Sequence, residues 1–402
     1  MKAPLRRTKG DLIATAVITA LSLGLVGTAY FTAPIRSSEL VSASEEHENY
    51  GQLAVVPKGL NESFRLPDTS PGTAPLVVDG MLITYNEGTI TATTPEGDTA
   101  WTYHRKEELC GLSGAWGKVV ANYRGNAGCG DVVAINALTG EYASTRSAPG
   151  PEQISTVASN DHVGQVDRNK VELWRSDMVR TVEYGTIEAP QEPNMQPNEC
   201  PVISALTRTE LLAVTEECNG ETFLRFQKTT PEDSREPEMH ASVQLQDGAY
   251  LVGISQDAAA IYDPASSEVR SYQMDGKELT SAQIPDLGEP SSLADGTRIL
   301  PTQDLPHHMS YFQNDYLVLM DPAELGVTGV FQGALGTGFS AGDRLLYASS
   351  TGVAVVNWDK NSVETIIPVD RGDYSGPISI NSAGPTVVEK RGEEVVVLAI
   401  EE

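Results

Sequence analysis

The segment GDVVAINALTGEYASTR, residues 130–146, constrains the fold more than any other feature, because the chain repeats its order of parts. An apolar strand at residues 132–135 leads into a tight turn, and a polar strand follows the turn. Asn136 at the start of this turn is suited to bond backbone amides, and Gly140 can take the positive φ that closes such a hairpin. We therefore interpret the segment as one copy of a repeated β-hairpin.

Segments with the same order of parts recur along the chain at a spacing of roughly 40 residues. They lie at residues 82–104, 162–185, 258–274 and 352–369. Each has a β-rich run, an Asp or Asn near a turn, and an outer polar strand. Such regularity predicts four-stranded sheets repeated radially, and it disfavours a sandwich of unrelated hairpins. Trp101 and Trp174 lie late in their copies, and we expect both rings to pack between neighbouring sheets.

The number of copies determines how such a ring closes. Copies are centred near residues 90, 130, 170, 215, 260, 315 and 355, and the C-terminal segment 377–402 supplies three more strands. A last sheet of three strands would end in an open edge, which invites aggregation. We predict that residues 60–67 (LNESFRLP) fill this edge by pairing with residues 394–400, which gives eight sheets closed by both chain ends. The alternative is a ring of seven sheets with a C-terminal appendage.

The N-terminal region contains an apolar run, residues 12–35, without a single charged residue. As a helix, such a run can span roughly 30 Å of hydrocarbon. Basic residues before the run and few after it predict a cytoplasmic N-terminus, with the rest of the chain outside the cytoplasmic membrane. Gly27, Thr28 and Ala29 resemble a small-x-small cleavage site, so a cleaved signal peptide is the alternative. However, the apolar run exceeds the usual length of a signal-peptide core.

These features predict four parts of the chain. Residues 1–11 are a basic cytoplasmic tail, and residues 12–35 are a transmembrane anchor that partners the membrane. Residues 36–58 are an acidic linker, and residues 59–402 are the extracytoplasmic repeat domain. The linker is polar and acidic and has no helical or strand period. We expect it to be a solvated tether that holds the folded part away from the membrane.

The charge balance narrows the range of partners. The net charge is −27, with 28 basic and 55 acidic residues. Five of the basic residues and one of the acidic residues lie at the N-terminus, up to Arg36. The remaining 23 basic and 54 acidic residues give the rest of the chain a net charge of −31. Because a surface this acidic repels phosphate backbones, we expect no nucleic-acid partner.

Four cysteines occur as two pairs along the sequence, Cys110 with Cys129 and Cys200 with Cys218. Without a Cys-x-x-Cys motif, zinc is a poor interpretation, and an extracytoplasmic compartment favours two disulfides. In the radial arrangement the two pairs fall in copies that are not neighbours. Bridged Cα atoms lie within about 7 Å of each other, so crossed pairings are excluded if this arrangement is right.

The stretches GTITATTPEGDTAWTY and GDVVAINALTGEYASTR resemble degenerate copies of the repeat of PQQ-type β-propellers. That repeat has a Gly, a strand, an Ala-x-(Asp/Asn), a Thr-Gly turn and a Trp. An N-terminal anchor followed by a propeller with two cysteine pairs also resembles a family of uncharacterised actinobacterial membrane proteins, as do WTYHRKEELC, VELWRSDMVRTVEYG and HHMSYF. The resemblance covers nearly all of the chain after residue 60. It implies an all-β fold, an eight-bladed (alternatively seven-bladed) β-propeller preceded by one transmembrane helix.

Two better-known relatives of this family define the function hypotheses. Quinoprotein dehydrogenases hold PQQ and calcium at the propeller axis, typically with an adjacent cysteine pair, whereas no two cysteines are adjacent here and no copy has a cluster of calcium ligands. BamB is a non-catalytic scaffold of outer-membrane assembly that presents its face to partner proteins. The resemblance favours such a scaffold, with an envelope protein partner and without cofactor or metal. A binding module for a small molecule or envelope glycan at the axis is the alternative, and a quinoprotein-like enzyme comes third.

Few residues indicate a ligand or metal site, and no Gly-x-Ser-x-Gly elbow or Walker loop occurs. Arg124, Arg175 and Arg298 are candidates for an anion-binding funnel at the axis, because arginine is scarce in this acidic chain. His307 and His308 form a histidine pair, but adjacent residues on a strand point to opposite faces, which disfavours a metal site. Residues 229–240 form a charged excursion that we expect to be a solvated loop.

Overall fold

A computed structural model of the chain describes residues 8–187, 190, 192–197 and 199–401. In this part of the chain, eight sheets form an eight-bladed β-propeller. In each blade the chain starts at an inner strand and proceeds outwards, strand by strand, before it crosses to the next blade. The prediction of eight blades is confirmed, and the seven-bladed alternative is wrong.

The chain begins with elements that precede the first blade. These are helix α1 (Lys9–Thr32), a short 3₁₀ helix (Pro34–Ser37), strand β1 (Glu39–Val41) and strand β2 (Gly59–Pro67).

Blades 1 to 4 contain strands β3 to β18, four in each blade. Blade 1 has β3 (Leu76–Val78), β4 (Met81–Asn86), β5 (Thr89–Thr93) and β6 (Thr99–His104). Blade 2 has β7 (Leu109–Ala115), β8 (Lys118–Gly125), β9 (Gly128–Asn136) and β10 (Tyr142–Ser147). Blade 3 has β11 (Ser155–Ala158), β12 (Val163–Val166), β13 (Lys170–Trp174) and β14 (Arg180–Gly185). Blade 4 has β15 (Val202–Arg208), β16 (Leu211–Cys218), β17 (Glu221–Lys228) and β18 (Met239–Leu245).

Blades 5 to 8 contain strands β19 to β33. Blade 5 has β19 (Tyr250–Ile254), β20 (Ala258–Asp263), β21 (Glu268–Gln273) and β22 (Glu278–Gln283). Blade 6 has β23 (Thr302–Asp304), β24 (Met309–Gln313), β25 (Tyr316–Met320) and β26 (Val327–Gln332). Blade 7 has β27 (Phe339–Ala341), β28 (Arg344–Ser349), β29 (Gly352–Asn357) and β30 (Ser362–Pro368). Blade 8 has β31 (Ile378–Ala383), β32 (Thr386–Arg391) and β33 (Glu394–Glu401), with β2 as its outermost strand.

The alternating strand direction divides the connections between two faces of the ring. Successive strands of a blade are antiparallel, as β7, β8, β9 and β10 illustrate. We call the face that carries the crossings between blades the upper face, and it also carries the turns between second and third strands. The lower face carries the other two turns of each blade.

The turn between β9 and β10 has the structure that its sequence predicts. The Oδ1 atom of Asn136 accepts hydrogen bonds from two following backbone N–H groups, at 2.9 and 3.0 Å. Gly140 has a φ of 66°, and a Cβ atom there would lie 2.5 Å from Cγ of Trp101. The indole N–H of Trp101 donates to the carbonyl of Ala137 in the next blade at 2.7 Å. Trp101 therefore fills the gap between blades 1 and 2, and the buried Trp174 packs between blades 2 and 3, as predicted.

Strand β2 closes the ring by pairing antiparallel with β33. The pairs run from Gly59 opposite Glu401 to Pro67 opposite Glu394. The outermost strand of the last blade thus comes from the beginning of the propeller domain. This closure by both ends of the domain confirms the prediction from sequence.

A buried ion pair fixes the end of the closing strand. The carboxylate of Asp68, just beyond β2, accepts a hydrogen bond from Nζ of Lys390 on β32 at 2.6 Å, and both side chains are buried. The other carboxylate oxygen of Asp68 accepts a bond from the backbone N–H of Tyr85 on β4 at 3.0 Å. Asp68 therefore connects the closing strand to both blade 8 and blade 1.

Helix α1 is apolar and is capped at its start. Oγ1 of Thr8 accepts a hydrogen bond from the backbone N–H of Asp11 at 3.2 Å, and the Asp11 carboxylate accepts one from the backbone N–H of Thr8 at 2.8 Å. The 24 residues of the helix are long and apolar enough to cross a membrane, and a signal sequence has the same properties. Residues 1–7 of the predicted cytoplasmic tail lie outside the described residues.

Residues 36–58 are not a free tether, contrary to the prediction. Strand β1 pairs antiparallel with β6, with Leu40 opposite Tyr103, and becomes the fifth strand of blade 1. The polar and acidic composition of residues 36–58 does not predict this strand. Strand β1 is only three residues long, and it is stabilised by pairing with β6, which lies in another part of the sequence.

Residues 42–58, which we call the strap, continue from β1 along the lower face. The backbone N–H of Ala43 donates to the carbonyl of Thr139 at 3.0 Å. Leu53 is 4% exposed and packs in a core cluster with residues of blades 7 and 8. The strap therefore connects the lower side of blade 2 to the closing strand, and it lies against the ring along this path.

The two disulfides have the predicted pairing. Cys110 and Cys129 are bridged within blade 2, with Cα atoms 6.0 Å apart. Cys200 and Cys218 are bridged at blade 4, with Cα atoms 5.2 Å apart. Each bridge connects the inner strand of its blade, or the segment just before it, to a strand end beside the turn between the second and third strands, with Cys129 on β9 and Cys218 on β16.

The charged excursion at residues 229–240 packs against blade 3 instead of extending into solvent. The backbone N–H of Glu183 on β14 donates to the carbonyl of Ser234 at 2.6 Å. The buried carboxylate of Glu183 pairs with Arg235 of the excursion at 2.9 Å and with Arg180 at 2.6 Å. The prediction of a solvated loop is wrong because the excursion supplies a cation to a buried carboxylate of another blade.

Replacing Asp68 tests how much the ring depends on its closure. Asp68→Asn leaves Lys390 buried without a counter-charge, so we expect the free energy of unfolding to fall by about 3–5 kcal/mol. Arg65→Gln is the matched control, because Arg65 on β2 pairs with Glu394 on β33 at 3.2 Å in the same blade, but with both side chains exposed. This control should cost about 0–1 kcal/mol in chemical denaturation. Equal losses in the two variants would contradict the proposed dependence.

Candidate functional site

The inner strands surround a cavity of about 420 Å³ at the propeller axis. Inner strands of seven blades contribute to its lining, and blade 7 contributes Thr337, which precedes β27. Most of the polar lining is neutral and consists of hydroxyl and amide groups, among them Ser113, Thr156, Gln303 and Asn381. Such a wall can hydrogen-bond a neutral polar ligand, and it carries little net charge to attract an ionic one.

One ion pair crosses the lower part of this cavity. Nη1 of Arg208, at the end of β15, lies 2.7 Å from Oδ1 of Asp304, at the end of β23. The two strands belong to blades 4 and 6, so the pair passes in front of Ile254 on the inner strand of blade 5. Sequence reasoning missed this pair because the two residues are separated by almost one hundred positions. The one indication in the sequence was Arg208, a charged residue at the end of β15, which is otherwise uncharged.

A long connection covers the upper end of the axis. Residues 284–301 link β22 to β23, and the backbone N–H of Arg298 donates to the carbonyl of Ile203 on blade 4 at 2.8 Å. Leu300 and Pro301 line the axial cavity, and they also line an adjoining space next to residues of blades 2 and 3. The axial cavity is therefore bounded above by this connection.

The three candidate arginines do not form one axial funnel. Arg124 lies at the upper end of β8 and pairs with Glu108 at 2.9 Å and with Glu152 at 2.6 Å. Arg175 lies in the turn between β13 and β14 on the lower face, where it pairs with Asp177. None of the three lines the axial cavity. The hypothesis is wrong in its geometry because two of these residues are neutralised by neighbours and lie on opposite faces.

Arg298 differs from the other two arginines. Its Nη1 atom donates to Oγ of Ser292 at 2.9 Å, and its guanidinium lies 5.7 Å from the ring centre of Tyr250. Its buried Nε atom has no hydrogen-bond partner among the described residues. Arg298 lines a second cavity, of about 430 Å³, on the upper face.

The aromatic side chain beneath Arg298 belongs to a buried network. The phenol groups of Tyr250 and Tyr311 both donate to Oε1 of Gln313, at 2.7 and 2.6 Å. Burial raises the pKa of Tyr311 well above its ordinary value, and it also raises the pKa of Tyr250. Both phenols stay neutral at physiological pH, so Arg298 lies over a neutral ring and has no phenolate counter-charge.

The histidine pair lies in the turn before β24 and packs against an aromatic residue. The ring of His308 stacks on Trp358 at a centroid distance of 5.2 Å, and His307 meets the same ring edge-on at 5.7 Å. One group with three potential metal ligands occurs in the described part of the chain, Cys200 with Glu216 and Cys218. Its two cysteines are joined in a disulfide and offer no thiolate.

Sequence comparisons find no match for this chain, either among protein-family models or among curated proteins. Solved structures are similar in fold. BamB from Moraxella catarrhalis matches over 85% of this chain and 100% of its own, with 12% identity and a TM-score of 0.52. The dihydro-heme d1 dehydrogenase NirN, solved in complex with DHE, matches over 83% of this chain and 75% of its own, with 9% identity and a TM-score of 0.53. At these identities the likeness shows a BamB-like propeller fold alone.

Buried histidines make the stability of the propeller depend on pH. Burial lowers the pKa of His162, which is 6% exposed, and burial together with His307 lowers the pKa of His308. The unfolded chain therefore binds protons first, and stability is lost as pH falls below the ordinary histidine pKa of about 6.5.

We expect the free energy of unfolding to decrease between pH 7 and pH 5.5, because protonation favours the unfolded chain in this window. His162→Gln should flatten this decrease, and His240→Gln, which replaces an exposed histidine, should leave it unchanged. Denaturant titrations at closely spaced pH values measure the slope. A slope that is the same in all three proteins would contradict the role assigned to His162.

Proposed function

We propose that this protein is a non-catalytic scaffold of the cell envelope that binds a partner protein through its propeller. Helix α1 anchors it in the cytoplasmic membrane, with the propeller outside. Two disulfides support an oxidising compartment for the propeller, and the 24-residue apolar helix supports an anchor. The BamB-like fold is compatible with this role.

The observation that carries the proposal is the addition of β1 to blade 1. The outer edge of a blade presents unpaired backbone N–H and C=O groups, and such an edge can bind an extended segment by β-augmentation. In blade 1 the chain itself supplies that segment, since β1 pairs with β6 over three residues. An outer edge of this propeller is therefore able to accept an extended strand.

The outer edge of blade 7 is the best candidate for a partner strand. Val363 and Ile366 on β30 are each 43% exposed, and in the described part of the chain no other outer strand of a blade has two exposed large hydrophobic side chains. Apolar residues on an open edge favour pairing with another chain. We assign to this edge an extended partner segment with apolar and basic residues, since the propeller is strongly acidic.

Photo-crosslinking in living cells tests this assignment. A photo-reactive amino acid at Thr365, which is exposed on β30, should give one discrete crosslinked product, and the crosslinked peptide should be an extended segment. Val363→Lys with Ile366→Lys should reduce that product at least about tenfold, because the two apolar contacts are lost.

The matched control places the same photo-reactive residue at Ser281, which is exposed on the outer strand of blade 5. This position should give no product above background. Equal products from both positions, or a Thr365 product that survives the double lysine substitution, would contradict docking at blade 7.

A second candidate function rests on the axial cavity. Its volume of about 420 Å³ and its neutral hydroxyl and amide groups suit a small polar molecule or a sugar unit of an envelope glycan. Asn381→Leu would remove an amide from the wall, so it should abolish the thermal stabilisation that such a ligand gives.

An intact-mass measurement of the purified protein tests the third hypothesis, an enzyme with a retained cofactor.

A further inference from the structure

A cavity on the upper face contains charged groups that the scaffold role does not use. It has a volume of about 430 Å³ and lies between blades 3 and 4 and the connection from blade 5 to blade 6. Its charged lining residues are Arg168, Glu217, Asp247, Asp295 and Arg298.

Three of these charges already have partners. Nη2 of Arg168 lies 3.2 Å from Oε2 of Glu217. The carboxylate of Asp295 accepts hydrogen bonds from the backbone N–H groups of Arg168 at 3.0 Å and of Thr297 at 2.8 Å. These contacts join the turns of blades 3 and 4 to each other and hold the connection against the turn of blade 3.

Arg298 and Asp247 have no charged partner in the part of the chain that the structure describes. Every other arginine of the propeller forms an ion pair. Arg298 bonds instead to a serine hydroxyl, and its buried Nε–H is unpaired. Asp247 lies in the crossing from blade 4 to blade 5 and is exposed to the cavity.

These two opposite charges line one cavity without meeting. Their nitrogen and oxygen atoms lie more than 4.0 Å apart, beyond the limit of an ion pair. The guanidinium of Arg298 makes one side-chain hydrogen bond, to Ser292, and its N–H groups that line the cavity can donate to a ligand carboxylate.

We propose that this cavity binds a short peptide with free termini, with its carboxylate on Arg298 and its ammonium group near Asp247. The five charged side chains sum to one negative charge, which disfavours a phosphate or another multiply charged anion. A purely cationic ligand would leave Arg298 unpaired. A zwitterion satisfies both groups, and the volume is within the range of small-ligand sites. This inference does not rest on the scaffold role.

Calorimetry with glycylglycine and its blocked derivatives tests the inference on the full chain. Glycylglycine should bind saturably with one site per chain. N-acetylglycylglycine lacks the ammonium group and glycylglycine amide lacks the carboxylate, so each should bind at least about tenfold more weakly, because each loses one charge-assisted contact.

Substitutions assign the two ends of the peptide. Arg298→Gln should weaken the binding of glycylglycine about tenfold. It should hardly change the binding of glycylglycine amide, because this ligand has no carboxylate for Arg298. Asp247→Asn should hardly change the binding of N-acetylglycylglycine, because this ligand has no ammonium group for Asp247. Arg175→Gln is the control, since Arg175 is an exposed arginine on the lower face. Asp247 is exposed, so its variant keeps the test valid if Arg298→Gln fails to fold.

Two outcomes would overturn the inference. The first is the absence of saturable glycylglycine binding to the natural sequence. The second is equal affinity for glycylglycine and its acetylated form, which would assign an anion site without a role for Asp247. Failure of docking at blade 7 would leave both results unchanged, because that edge is formed by other residues.

Discussion

The antiparallel pairing of β2 with β33 is the constraint on which the rest of the structure depends. A propeller blade is stabilised by packing its faces against two neighbours, so an incomplete blade 8 would expose the flanks of blades 7 and 1 as well. Asp68 lies at this junction, where its carboxylate bonds to Lys390 of blade 8 and to the backbone of Tyr85 in blade 1. Helix α1, β1, the strap and β2 are consecutive along the chain. A force on the helix therefore acts first on the outer edge of blade 1, and the strap with its contacts to the ring lies between β1 and the closing strand.

The strands and the connections have different physical roles in this ring. Apolar clusters formed by the strands of adjacent blades contain most of the buried hydrophobic residues, and Trp101 and Trp174 belong to two of these clusters. Several charged side chains in the connections join blades that are adjacent in space, as Arg235 joins blade 4 to blade 3. Because the strands fix the positions of the connections, a charged site between connections can be rigid although it is built from loops.

The three candidate binding regions would recognise their ligands by different forces. The edge of β30 offers backbone hydrogen bonds and two apolar side chains to an extended segment. The cavity beside Arg298 and Asp247 offers separated opposite charges that are partly exposed, so ions in solution screen it. The axial cavity offers neutral hydroxyl and amide groups, with its Arg208–Asp304 pair already neutralised. Salt dependence of binding therefore distinguishes the cavity beside Arg298 and Asp247 from the axial cavity without any substitution.

Features that depend on local patterns could be predicted from the amino-acid sequence alone. Turn residues such as Asn136 and Gly140, the spacing of the copies and the unpaired segment at residues 60–67 were sufficient to predict eight blades and the closing strand pair. The same arrangement determined which cysteines are bridged. Only the tertiary structure decided where the polar segments pack, because β1 and the excursion at residues 229–240 depend on partners from other blades. It also separated Arg298 from the other two arginines, because Arg124 meets the carboxylates of Glu108 and Glu152, whereas Arg298 has no ion pair among the described residues.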